Sequence, residues 1–91
     1  MGREITLFES EERKSRSEVC AFLRAIADRI EDGQVTLKQG ENELVLDLPG
    51  QLVLEIKAED EDKGSKGTQH SLEIEIKWWK GIGEGGSVEL G

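Results

Sequence analysis

The longest unbroken alternation of apolar and charged residues runs through Leu72-Glu73-Ile74-Glu75-Ile76-Lys77-Trp78. A period of two marks a strand with one buried face. Leu72, Ile74, Ile76 and Trp78 share one side; Glu73, Glu75, Lys77 and Trp79 share the other. Three shorter alternations come before it. Val35 and Leu37 alternate with Thr36 and Lys38, and Leu44, Leu46 and Leu48 alternate with Glu43, Val45 and Asp47. Leu52, Leu54, Ile56 and Ala58 alternate with Val53, Glu55, Lys57 and Glu59. Gly40-Glu41-Asn42 separates the first two, and Pro49-Gly50 has the residues of a type II turn. Connections this short join only antiparallel neighbours. An acidic loop over 60–67 leads into the last strand.

Ahead of the strands the period changes. Val19, Phe22, Leu23, Ile26 and Ile30 recur on one stripe of a 3.6-residue repeat, flanked by Cys20 and Ala27. Ser15 with Glu18 three residues on fits a capping box, and Gly33 falls where a left-handed helix stop belongs. This predicts a helix from Ser15 to Asp32. Ile5-Thr6-Leu7-Phe8 is short and β-favouring and predicts a first strand, with Phe8 out of phase with Ile5 and Leu7.

The apolar helix stripe and the apolar sheet face each need cover, so the expected fold is α+β. It is an antiparallel sheet of four to five strands with one amphipathic helix packed on one face, in the order β-α-β-β-β-β. The other face stays wet, as antiparallel sheets allow. Residues 1–80 form one domain in this reading. The stretch 81–91 holds five glycines without a period and is expected to be a disordered tail.

Composition narrows the function classes. Twelve basic against twenty acidic residues give a net charge of −8, a field that disfavours nucleic acid and anionic membrane surfaces as partners. Residues 34–91 hold six basic and twelve acidic side chains, so the acidity belongs mostly to the sheet-forming half. Cys20 is the single cysteine and has no partner for an internal disulfide. With no apolar run of membrane-spanning or signal-peptide length, the expected location is the cytoplasm.

Several blocks in order carry a resemblance: Leu7-Phe8-Glu9-Ser10-Glu11-Glu12, the Ser15–Glu31 helix, Val35-Thr36-Leu37, and Leu72 through Trp78. Together they resemble the amphi-Trp domain, a small prokaryotic family named for an amphipathic strand ending in tryptophan. The resemblance extends to Trp79 and leaves out the glycine-rich tail. It implies the fold and brings no activity, catalytic residue or cofactor.

Candidate chemistry is sparse. His70 and Cys20 are the only residues from which a nucleophile–base pair of that type could be drawn, and their places at a strand start and on a helix read more simply as surface and core-edge positions. The carboxylates Glu73 and Glu75, or Glu43 and Asp47, lie on the wet face, where Lys38, Lys57 and Lys77 can neutralise them. Glu59-Asp60-Glu61-Asp62-Lys63-Gly64 invites a calcium reading, yet position 70, where a closing carboxylate belongs, is His. Gly81-Ile82-Gly83-Glu84-Gly85-Gly86 has the glycines of a phosphate loop but neither a lysine within it nor a following helix.

Trp79 stands apart. On the wet side among charges, an indole suggests a contact surface, because tryptophan is enriched in binding hot spots. Val45 and Val53 share that face, and Glu75 and Lys77 border it. The sequence therefore predicts a non-enzymatic protein-interaction module with Trp79, Val45, Val53, Glu75 and Lys77 at its surface. The expected partner is another protein or a second copy, with no catalytic residues, metal or cofactor. The alternative is a small ligand- or metal-binding protein using the acidic 60–67 loop.

Overall fold

The computed structural model describes residues 2–79, so the glycine-rich stretch expected to form a tail lies outside the described residues. The elements are a helix α1 (Arg16–Asp32) and four strands, β1 (Gln34–Gln39), β2 (Asn42–Asp47), β3 (Val53–Asp62) and β4 (Thr68–Lys77). A 3₁₀ turn, Gly64–Lys66, joins the last two. The fold class is α+β with antiparallel strands, as the alternating patterns require. The strands form two separate two-stranded sheets, β1-β2 and β3-β4, in place of the expected continuous sheet. Contacts divide the chain into two compact units, the first ending at Leu48 and the second starting at Pro49.

In the first unit, α1 begins where the capping box predicts. Ser15 Oγ accepts from the Glu18 backbone N–H at 3.1 Å, and the Ser15 backbone N–H donates to Glu18 Oε1 at 2.9 Å. Two donors that the helix itself leaves open are thereby satisfied. Gly33 ends the helix at φ 89°, a left-handed conformation that costs a residue with a Cβ, and its N–H donates to the carbonyls of Arg29 and Ile30. The Leu48 N–H then donates to the Gly33 carbonyl at 2.9 Å, tying the end of β2 to the helix stop.

The β1-β2 hairpin turns through Gly40 and Glu41, with Gly40 at φ 60°. Glycine at the first central position of a two-residue loop matches the strand twist of a hairpin. The register pairs Val35 with Leu46 and Leu37 with Leu44, so these four share a face. The helix packs on β1, and Val35, 7% exposed, is the buried hydrophobic residue of the described chain.

Residues 5–8 do not form the expected first strand. Ile5 and Leu7 are exposed, and Phe8 is half-buried at a groove that Phe22, Ile26 and Leu37 also line. The phase conflict in this stretch has its outcome here: one side chain anchors the segment, and no ladder forms to hold the other two.

In the second unit, β3 and β4 pair along their whole length, from Val53 opposite Lys77 to Asp62 opposite Thr68. Both strands run further than their apolar alternation suggests, because Glu59 to Asp62 continue β3 and Thr68 to Ser71 begin β4. The loop is accordingly shorter than the expected 60–67. Gly50 does not adopt the positive φ of a type II turn, and no hydrogen-bonded ladder joins β2 to β3. No helix among the described residues is long and apolar enough to cross a membrane.

Candidate partner-binding surface

The β3–β4 register fixes which side chains meet at the base of the second hairpin. Val53 opposes Lys77, and Glu55 opposes Glu75 on the same face. Like charges placed directly across a ladder repel. Lys77 offsets this repulsion by reaching diagonally, its Nζ donating to Glu55 Oε1 at 2.8 Å. The ammonium holds the Glu55 carboxyl below its ordinary value, and Glu55 in turn raises Lys77. Both groups lie in open solvent, so the pair orients the Lys77 side chain more than it stabilises the fold.

Strand β4 stops at Lys77, and the two indoles follow it. Freed from the strand alternation, Trp78 and Trp79 both line one open concavity of about 660 Å³ together with Val53, Ile76 and Lys77. Trp78 is half-buried, while Trp79 is 75% exposed. A smaller neighbouring hollow is lined by Pro49, Gly50, Gln51 and Leu52 on one side and Lys77, Trp78 and Trp79 on the other. The surface thus joins a wide apolar floor to a single oriented cation, with Glu75 and Glu55 behind it.

Of the residues singled out from the sequence, the structure brings Val53, Lys77 and Trp79 together, with Glu75 one rung away. Val45 belongs to the first unit, opposite Thr36 on β2 and exposed. Ile76 and Trp78 were assigned to the buried side by their phase, yet both contribute to the concavity. For Trp78 the signal is the end of the strand, which the alternation through Trp78 conceals, whereas Ile76 lies within β4 on the rung next to its last.

The acidic segment is drawn out along the ladder. Asp60 pairs with His70 across the strands, and the Asp62 carboxylate accepts from the Gly64 N–H at 2.8 Å. Glu61 lies 3.3 Å from Lys63 Nζ, and Glu59 lies 3.8 Å from Lys57 Nζ. Strand alternation sends Asp60 and Asp62 to one face and Glu59 and Glu61 to the other. Among the described residues no three His, Cys, Asp or Glu side chains converge as a metal site would need. Cys20 is exposed on α1, and His70 is engaged by Asp60.

No polar or charged residue among those described is buried. A general acid or base needs a sheltered setting to move its pKa toward working pH. The described carboxylates have no such shelter. The arrangement is an apolar concavity rimmed by charge.

No curated protein and no solved structure matches the chain. The sequence model of the Amphi-Trp domain matches residues 1–91, a span that takes in the glycine-rich stretch as well as the blocks that end at Trp79. The paired indoles, the amphipathic strand that leads into them and the capped helix all fall within that match, and the chain belongs to the Amphi-Trp domain family.

Proposed function

We propose that the protein is a non-enzymatic protein-interaction module, and that it binds its partner at the concavity formed by Val53, Ile76, Lys77, Trp78 and Trp79. The observation that carries this reading is the 75% exposure of Trp79 beside apolar neighbours. A free indole in water retains a large area to bury on contact, and such residues dominate the energetics of interfaces. Lys77, oriented by Glu55, favours a partner segment with an acidic group beside an apolar side chain. The net charge of −8 disfavours phosphate backbones and anionic lipid in that role. The cytoplasm is the compartment we assign, on the strength of one unpaired cysteine.

The test is affinity capture from the source cell with wild-type and Trp79→Ala proteins side by side, followed by amide NMR mapping with the purified binder. A binder retained by the wild type and lost by the variant, with perturbations at Val53, Lys77 and the Trp79 indole, supports the reading. A binder held equally by both, with perturbations elsewhere, removes this surface from the function.

A further inference from the structure

The second hairpin has another face, turned away from Val53 and Lys77. Its rungs are Leu54 with Ile76, Ile56 with Ile74, and Ala58 with Leu72. Leu54, Ile56, Leu72 and Ile74 are between 51% and 69% exposed. No charged residue interrupts these three rungs; the charges on that side begin at Asp60 and His70, at the loop end. A two-stranded hairpin in water is marginal at best, and an apolar sheet face gains its stability by being covered.

We infer that this strip is a homodimer interface, on which the same strip of a second copy packs face to face. Two observations select a second copy. The strip is self-complementary: a two-fold axis running across the strands at the Ile56–Ile74 rung lays Leu54 over the partner copy's Ala58, large against small. The same axis lays Ile76 over the partner copy's Leu72, which fills the layer between sheets about 10 Å apart. The charged faces carrying Glu55, Lys57, Glu73, Glu75 and Lys77 point outward on both copies, away from the contact.

The area is sufficient. Four large side chains with half to two thirds of their surface free, with Ala58 and Ile76 beside them, present on the order of 500 Å² per copy, and a pair of copies reaches the roughly 1,000 Å² at which specific interfaces begin. Interfaces at this lower bound are exchanging ones, so the dimer forms with a micromolar or weaker constant. The strip shares Ile76 with the Trp79 concavity but does not involve Trp79 and does not depend on the function proposed there.

Sedimentation velocity of the full chain over a range from about 1 µM to 1 mM, which brackets that affinity, reads the assembly directly. The expected result is a rise from the 10.1 kDa monomer toward twice that mass. Ile74→Glu shifts the midpoint to higher concentration by at least about tenfold, and Trp79→Ala leaves it unchanged. Since Ile74→Glu could also perturb the hairpin, Ile56→Thr with Ile74→Thr gives a second test that keeps strand-favouring, β-branched residues. A monomer at every concentration overturns the inference, whatever then covers the strip. So does a dimer that survives both sets of substitutions, or one that Trp79→Ala abolishes.

Discussion

In the first unit the β1-β2 hairpin lies against α1 and keeps Val35 at 7% exposure, whereas the β3-β4 hairpin of the second unit leaves Leu54, Ile56, Leu72 and Ile74 between 51% and 69% exposed. Both hairpins are antiparallel and both alternate apolar with polar residues. The longer of the two has the more regular pattern and the less buried face. Alternation therefore states which side of a strand seeks cover, and a separate element decides whether cover is found. In the first unit that element is a helix with a sharp start and stop, separated from β1 by a single glycine.

The sharpest way to break this contrast is to place a polar side chain on each side of it. Val35→Asp puts a carboxylate beneath α1 and should cost at least about 3 kcal/mol, seen as loss of the helical circular dichroism transition at ordinary temperature. Ile56→Thr in the second hairpin, read at low protein concentration, should shift stability by less than about 1 kcal/mol. Equal losses from the two would mean that both faces are buried alike.

A smaller effect is expected at the helix stop. Gly33→Ala forces a Cβ into the left-handed region and should lower stability by about 1–2 kcal/mol, measured as a drop in Tm. Loss of the N-cap comes next, with Ser15→Ala costing about 1 kcal/mol. Glu18 adds an acid dependence to the same site. Its carboxyl is held below its ordinary value, first by the Ser15 backbone N–H and then by the Ser15 hydroxyl. Its contribution is present above the unfolded-state pKa and is lost as pH falls through the lower folded-state value. Glu18→Gln should flatten that part of the acid limb in a pH titration of Tm.

The smallest change is expected in the second unit, at Glu55→Gln. Lys77 is raised by Glu55, so this pair stabilises below the unfolded-state lysine pKa and fades as pH climbs through the raised folded value. The variant should remove a shallow alkaline slope that added salt also suppresses. A slope that persists in the variant or resists salt would mean that another group carries it.

Much of the fold was legible in the chain. The 3.6-residue stripe from Val19 to Ile30, Ser15 with Glu18, and Gly33 specify α1 at both ends, because capping chemistry is local. The strand faces were legible for the same reason, as parity alone assigns Leu54, Ile56, Leu72 and Ile74 to one side. The separation into two sheets was not. It depends on whether the Leu48–Leu52 connection is a tight hairpin, and Pro49-Gly50 has turn residues without the turn geometry. Ile5 to Phe8 show the related limit: β-favouring residues make a strand only when a neighbour offers a ladder.

The candidate surface was readable in part. Val53 and Lys77 follow from parity, since each lies on the wet side of its strand, and Trp79 continues the phase of Lys77 beyond the strand's end. Trp78 does not follow from parity, because the strand ends one residue before the alternation does, and Ile76 does not, because parity puts it on the other face of β4. The Glu55–Lys77 pair needed the register, which aligns Lys77 with Val53 and leaves Glu55 on the diagonal. No local rule supplies such a diagonal.

The hydrogen bond from the Leu48 N–H to the Gly33 carbonyl gives the first unit a clasp. Its two ends bracket β1, the Gly40 turn and β2, so everything between them opens as a closed loop. The amide of Leu48 can then exchange its proton with solvent only when that bond is released. One backbone position at the edge of the unit thereby reports the fraying of the hairpin's open end.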